Sequence, residues 1–210
     1  MARPRQSLLT RQGIVATAAA LVDAEGLDAV SVRRIAGELG VRGPSLYHHF
    51  ATKAEILDAV ADSVVTQVDL SAFGTCAWAD ALRIWARSYH AVLSAHPNIV
   101  PLLAHGPGRR PAGLVMADRV YGALIDAGWS PARATQIGAL LRYLVVGSTL
   151  GSFARGFSGD PALYQRYPHL RKAHLLAEYR EGVDEGAFLL GLETLIAGLE
   201  IRLVKKRSPA

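Results

Sequence analysis

The side chains best suited to chemistry lie between Ser31 and Lys53, in the segment SVRRIAGELGVRGPSLYHHFATK. This segment carries hydroxyl, imidazole, guanidinium and ammonium groups, all of which donate hydrogen bonds to anionic oxygens. The residues suited to phosphate oxygens are Ser31, Arg33, Tyr47, His49 and Lys53, with Arg33 also able to reach a base edge. The residues suited to base edges or thymine methyl groups are Arg42, Gly43, Pro44, Ser45 and His48, with Arg42 matched to guanine.

Two short helices separated by a glycine turn are predicted to position these side chains. Ser31 is suited to cap the first helix, and Gly40 permits the tight turn that follows it. Pro44 opens the second helix, because proline is favoured at the first helical position. Leu46 and Phe50, four residues apart, are predicted to face inward. This arrangement is typical of a helix-turn-helix whose second helix enters the major groove of double-stranded DNA.

The rest of the chain is also predicted to be helical, which makes the fold class all-α. No stretch combines strict alternation with the β-branched and aromatic density of several strands. Helices are expected near residues 10–25, 31–39, 44–50, 53–69, 78–95, 112–127, 131–156, 169–181 and 186–204, with a short turn around 99–104. A boundary near Lys53 divides an N-terminal three-helix domain, residues 1–53, from a larger helical domain, residues 54–210.

Composition narrows the class of protein further. Half of the 210 residues are hydrophobic and the formal charge is +5, which favours a folded chain with a polyanionic partner. The one cysteine, Cys76, excludes an intramolecular disulfide and predicts a reducing, cytoplasmic location. The uncharged stretch 143–154 has twelve residues, short of the ~20 that span a bilayer. Residues 1–22 are predicted to lead into the amphipathic first helix rather than to form a signal peptide, because Arg11 interrupts them.

The segment Thr10–Lys53 resembles the TetR family of transcriptional regulators. The specific part is LGV-x-x-x-x-LYxHF-x-x-K, which runs from Leu39 to Lys53. The C-terminal run FLLGLETLIAGLEIRL, from Phe188 to Leu203, resembles the last helix of tetracycline-repressor-type members. The resemblance implies a repressor that binds a palindromic operator as a homodimer and is released by a small-molecule effector. No cofactor and no metal are expected, since the adjacent His48 and His49 point about 100° apart on a helix.

The larger domain is predicted to supply both the dimer interface and the effector pocket. Helices near 131–156 and 186–204 are apolar on more than one side, so they need more than one packing partner. A monomer core is the alternative to a dimeric four-helix interface. The resemblance places the pocket among the middle helices, where the candidate residues are Trp85, Tyr89, Leu103, His105, Met116, Val120 and Tyr143.

The effector is expected to be largely apolar. The positions that bind drug in tetracycline-binding members align here with Val68-Asp69, Trp85, Tyr89 and Val120. Each candidate pocket residue has plain core packing as its alternative. Two other functions stay open: a dimerising helical regulator without a small-molecule ligand, and a helical enzyme with an unmarked active site. The sequence carries no P-loop, GxGxxG after a strand, HExxH or G-x-S-x-G motif, so a regulator rather than an enzyme is predicted.

Overall fold

The computed structural model of the chain describes residues 9–104, 106–157 and 159–207. This part of the chain is helical and contains no β-strand, which confirms the all-α prediction. The α-helices are α1 Arg11–Glu25, α2 Val32–Glu38, α3 Gly43–Leu46, α4 Lys53–Val65, α5 Trp78–Ala95, α6 Pro111–Asp126, α7 Pro131–Thr149 and α8 Arg180–Arg207. The 3₁₀-helices are Leu27–Ala29, Pro97–Leu103, Ala154–Gly156, Pro161–Tyr164 and Ala173–Tyr179. None of the described helices is both long and apolar enough to cross a membrane.

The chain forms two compact units, and neither is contiguous in sequence. The first comprises the described residues up to Gln67 together with Ala95–Val115, and the second comprises Val68–Ser94 together with the described residues from Met116 onward. Helix α4, which follows the predicted domain boundary at residue 53, belongs to the first unit. That boundary stays a prediction about function, because a compact unit need not coincide with a functional domain.

The core of the first unit is built by helical periodicity. Ile14, Ala18 and Val22 of α1 recur every four residues and are fully buried. Helix α1 packs on α4, whose inner face includes the equally buried Ile56 and Val60. Burying an aliphatic side chain of this size stabilises a fold by about 1.5–3 kcal/mol. This core therefore holds the shorter helices that pack against it.

Helix starts in the first unit are fixed by hydroxyl side chains. The Oγ1 of Thr10 accepts from the N–H of Gly13 at 3.0 Å, at the start of α1. The Oγ of Ser31 caps α2 in the same way. At the start of α4, the Oγ1 of Thr52 accepts from the N–H of Glu55 at 3.1 Å. Each cap contributes about 1 kcal/mol, so these residues determine where the helices begin.

The segment after α5 is tied to the C-terminal end of α1. Asn98 donates from Nδ2 to the carbonyl of Val22 at 3.0 Å, satisfying a helix-terminal acceptor. The Nδ1 of His96 lies 2.9 Å from a carboxylate oxygen of Asp23. Both contacts lie within the first unit, so residues 96–98 help to hold the end of α1.

The residues that lead into α6 contact their own segment through Arg110 and contact α4 through Asp62. The buried guanidinium of Arg110 donates to the carbonyls of Leu102 and Gly106 at 2.8 and 2.9 Å. The Oδ1 of Asp62 accepts from the N–H of Ala112 at 2.8 Å, which caps the first turn of α6 from a neighbouring helix. Helix α6 begins in the first unit and continues into the second.

In the second unit, α5 and α8 are joined by an ion-pair network. Arg83 and Arg87 each donate to the carboxylate of Glu193 at 2.9 Å. These two hydrogen bonds hold the pKa of Glu193 below its ordinary value. Elsewhere in the unit, a Cβ at Gly138 of α7 would lie 2.4 Å from the ring of Tyr121, so only glycine permits this approach of α6 to α7.

Several helix ends differ from the sequence-based expectation, including that of α4, which is expected over 53–69 and ends at Val65. The helix predicted over 131–156 ends at Thr149, and its continuation is turns with the short helix Ala154–Gly156. The predicted break between 181 and 186 is wrong, because α8 is continuous over Arg180–Arg207. The residues before it, predicted as part of a helix over 169–181, form turns and a 3₁₀-helix.

Candidate nucleic-acid interface

The turn between α2 and α3 is closed by backbone hydrogen bonds that glycine makes possible. Gly40 has a φ of +65°, in the left-handed region that other residues rarely adopt. Its N–H donates to the carbonyl of Gly37 at 3.2 Å, and the N–H of Val41 donates to Ala36 at 3.0 Å. This is the paired pattern of a Schellman motif, which satisfies the last carbonyls of α2. The turn predicted at Gly40 is therefore present with defined geometry.

The second helix of the motif is a single α-helical turn that continues into tighter turns. Helix α3 covers Gly43–Leu46, and the N–H groups of His49 and Phe50 both donate to the carbonyl of Leu46, at 2.9 and 3.0 Å. Leu46 and Phe50 are 1% and 2% exposed, so both face the core as predicted. The predicted helix over 44–50 is thus α-helical only in its first half.

The polar side chains of this region face outward. Tyr47 is 56% exposed although it lies between two buried anchors in sequence. Of the predicted base-reading residues, Arg42, Pro44 and His48 are exposed, whereas Gly43 and Ser45 are half-buried. Of the predicted phosphate-binding residues, Ser31, Arg33, Tyr47 and Lys53 are exposed, whereas His49 is half-buried. The fold therefore leaves most of both sets accessible to a partner.

The arginines of α2 and of the turn before α3 differ in their ion pairs within the chain. Arg34 pairs with Glu25 at 2.8 Å and with Glu38 at 3.4 Å. Among the described residues, Arg33 and Arg42 have no ion-pair partner within the chain. A guanidinium without an internal carboxylate is free to bind an external anion, and phosphate matches its planar donors. These two cations thus remain available for an anionic partner.

Arg11 is a residue of this region that the sequence reading did not assign to the motif. Its Nη1 donates to the carbonyl of His49 at 2.7 Å, and its guanidinium carbon lies 3.8 Å from the centroid of the Phe50 ring. The two ends of this contact are 38 residues apart. No local pattern around Arg11 signals so distant a contact, beyond its position at the start of an amphipathic helix.

The residues predicted to line an effector pocket are mostly buried. Trp85 and Tyr89 of α5 are 3% and 0% exposed, and their ring centroids are 6.0 Å apart. Leu103 belongs to the first unit, and Met116 and Val120 to the second; all are buried. His105 lies outside the described residues. The Nε1 of Trp85 is buried with no acceptor among the described residues.

Tyr143, the remaining pocket candidate, is 71% exposed on α7. It belongs to an exposed row with alternating spacings of three and four residues, here called the α7 seam: Arg133, Gln136, Leu140, Tyr143, Gly147 and Leu150. Helix α8 carries a matching row, the α8 seam: Ala187, Leu190, Thr194, Ala197, Ile201 and Val204. Such a 3.5-residue repeat is the pattern by which helices pack in coiled coils and four-helix bundles.

Comparison with known families covers most of the chain. The family described as "Bacterial regulatory proteins, tetR family" matches residues 14–60. The domain described as "Tetracyclin repressor-like, C-terminal domain" matches residues 72–203. The tetracycline repressor protein class C of Escherichia coli is 31% identical over 203 residues, which cover 91% of each chain. An HTH-type transcriptional regulator of Saccharopolyspora erythraea is 33% identical over 141 residues, 67% of this chain and 60% of that protein.

Solved structures show the same similarity. Apo ActR from Streptomyces coelicolor superimposes with a TM-score of 0.77 at 31% identity, covering 95% of this chain and 99% of that one. ActR in complex with actinorhodin gives a TM-score of 0.74 at 31% identity, covering 94% and 99%. BioQ with its double-stranded DNA operator, at 24% identity and a TM-score of 0.65, shares the fold and covers 91% of this chain and 98% of that one.

Proposed function

Because the chain belongs to the TetR family of bacterial regulatory proteins, we propose that it represses transcription by binding DNA and is released by a small molecule. The observation that carries DNA binding is the geometry of residues 31–53. A glycine-closed turn presents a short helix whose apolar residues are buried and whose polar residues are exposed. This geometry supports insertion of α3 into the major groove.

The contacts with DNA divide into two sets. Arg33, Tyr47 and Lys53, with Ser31 and His49, bind phosphate oxygens and fix the register of the protein on the duplex. Arg42, which has no internal ion pair among the described residues, reads guanine, and its neighbours Gly43, Pro44, Ser45 and His48 lie against base edges or thymine methyl groups. Exposure of most of these side chains supports the assignment, namely of Ser31, Arg33, Arg42, Pro44, Tyr47, His48 and Lys53.

The α7 and α8 seams support a homodimer. Leu140, Leu190, Ile201 and Val204 are 44–71% exposed in the single chain, although all are aliphatic. Two copies that place these seams together would bury them in a four-helix bundle. A two-fold dimer matches a palindromic operator whose half-sites lie about 34 Å, or one helical turn, apart.

The effector is proposed to be a largely apolar, flat molecule with an oxygen acceptor. A buried indole N–H without an acceptor costs about 1–3 kcal/mol, which a carbonyl or hydroxyl oxygen of a ligand would recover at Trp85. The aromatic rings of Trp85 and Tyr89 favour a planar ligand. Actinorhodin, which is bound in the similar protein ActR, is the molecule to test first.

Release requires that the effector bind one arrangement of the protein better than the other. The protein is proposed to act in the cytoplasm, where an operator is accessible. Its family consists of regulators rather than enzymes, so we propose no catalytic role.

Selection of bound duplexes from a random DNA pool tests the proposed function. A palindrome is expected, bound by two copies of the chain. Recovery of no preferred sequence would contradict operator recognition, and an unpaired single site would contradict dimeric binding.

The effector proposal has a separate test on the selected duplex. Actinorhodin should release the protein, and Trp85→Phe should require a higher concentration of it, because phenylalanine lacks the indole N–H. Equal release of both proteins would contradict the role of Trp85. Val115→Ala is a suitable control, since this side chain is 54% exposed on α6.

A further inference from the structure

The end of α3 is held by few contacts of its own. Its α-helical part is four residues long, and a single turn is marginal without tertiary support. Leu46 and Phe50 anchor its inner face, but the polar residues between them lie in turns. The carbonyl of His49 follows the last helical turn and has no partner within α3.

Arg11 supplies that partner from the first turn of α1. Its Nη1 donates to the carbonyl of His49 at 2.7 Å, and its guanidinium stacks 3.8 Å above the Phe50 ring. A planar guanidinium makes both contacts at once, because its face packs on the ring while its edge donates the hydrogen bond. A cation at the carboxyl end of a helix is also favourable.

Arg11 is placed poorly for a phosphate contact of its own. One edge and one face of its guanidinium are already occupied by His49 and Phe50. It lines a groove of about 770 Å³ in which Arg11, Arg109 and Arg110 are balanced by Glu55, Asp58 and Asp62. The groove therefore carries no excess positive charge that would attract a phosphate.

From these contacts we infer that Arg11 is a positioning residue. It holds Tyr47–His49 in the conformation that binds DNA, and Arg11 itself does not contact DNA. This inference rests on the proposed function, because the affected activity is operator binding. It assigns to the first turn of α1 a role in setting the geometry of the recognition helix 38 residues later.

The test compares Arg11→Gln with Arg34→Gln on the duplex selected by the wild-type protein. Arg34 is a matched control, an exposed arginine of the same unit whose ion pairs go to Glu25 and Glu38. Arg11→Gln should weaken binding about tenfold with an unchanged salt slope, whereas Arg34→Gln should change binding little. Arg11→Lys should restore only part of the affinity, because lysine lacks the planar donor set.

Amide hydrogen exchange without DNA provides the second readout. Exchange at His49 and Phe50, whose N–H groups bond to Leu46, should accelerate in Arg11→Gln but not in Arg34→Gln. If Arg11→Gln fails to fold, Arg11→Lys and Phe50→Leu carry the same comparison. A smaller salt dependence of DNA binding in Arg11→Gln, as expected on loss of a phosphate contact, would overturn the inference. Unchanged affinity of Arg11→Gln would also overturn it. A wild-type protein that selects no duplex would instead contradict the proposed function.

Discussion

In the first compact unit most accessible side chains between Ser31 and Lys53 are cations or hydrogen-bond donors, whereas in the second unit the exposed seams of α7 and α8 are largely apolar. The first surface suits a charged, hydrated partner that is bound through individual contacts. The second suits another protein surface, where area and shape matter more than any single donor. The proposed function thus depends on individual residues in the first unit and on helix faces in the second.

The largest effect should follow from breaking the apolar face. Ile201→Asp places a carboxylate in the α8 seam without touching the core, since Ile201 is 59% exposed in the single chain. Burying that charge in a dimer costs several kcal/mol, so dimer affinity should fall at least about a hundredfold. Sedimentation would show the monomer, and operator binding would be lost with it.

Leu163→Asp is the control for this change, because Leu163 is 50% exposed and lies outside both seams. It should remain dimeric. A dimer that persists in Ile201→Asp would place the interface elsewhere.

The next effect separates the two kinds of contact in the first unit. Arg42→Ala should change sequence preference by about 1–3 kcal/mol at one base pair, since it removes a base contact. Lys53→Gln should weaken binding to all sequences and reduce the salt slope by about 0.9. Binding titrations on single-base variants of the selected duplex at several salt concentrations would measure both. Identical behaviour of the two variants would contradict the assignment of Arg42 to a base contact and of Lys53 to a phosphate contact.

A smaller effect concerns the turn that separates the two helices. Gly40→Ala should lower the free energy of unfolding by about 1 kcal/mol, because its φ of +65° strains any residue with a Cβ. Gly37→Ala in α2 should raise it by about 0.5–1 kcal/mol, since alanine is the better helix former. Neither new Cβ has a neighbour within 4 Å, so backbone conformation alone distinguishes the pair. Denaturant unfolding of both variants would test this, and equal effects would contradict the Schellman geometry.

The smallest effect concerns the acid side of the stability profile. Because Arg83 and Arg87 lower the pKa of Glu193, its stabilising effect is complete above the ordinary carboxyl value of 4.5 and declines as the pH falls below it. Glu193→Gln should therefore flatten the decline of thermal stability in acid, with no change in slope near neutrality. Glu181→Gln, at an exposed position of α8, should keep the wild-type profile. Unfolding temperatures of the wild type and both variants, measured across this pH range, test the prediction. Equal acid profiles of Glu193→Gln and the wild type would contradict it.

Sequence reasoning succeeded where a local pattern determines structure. Ser31, Gly40 and Pro44 occur at the cap, the turn and the helix start that their chemistry favours. Leu46 and Phe50 are buried because their spacing places them on one side of the chain. These are short-range effects, and residues a few positions apart are enough to predict them.

Prediction from the sequence was wrong or silent where the residue pattern is uniform and where the contacting residues are far apart in the chain. The stretch 143–154 is uncharged throughout, so the charge pattern gives no sign that α7 ends at Thr149. The predicted break between 181 and 186 is wrong although glycines occur at 182 and 186, because α8 continues past both. The contact from Arg11 to His49 and the cap from Asp62 to α6 join residues 38 and 50 positions apart. Such contacts exist only once the fold has formed.

The first compact unit includes Ala95–Val115, a segment separated in sequence from the rest of that unit by residues 68–94, which contain most of α5. A hybrid regulator made by joining this protein's first 67 residues to another sensor domain would therefore lack part of its own DNA-binding unit. It would leave Val22 without the amide of Asn98 and Asp62 without the helix start that it caps. An exchange that keeps the first unit intact therefore needs three junctions rather than one, because Ala95–Val115 must be transferred together with the first 67 residues.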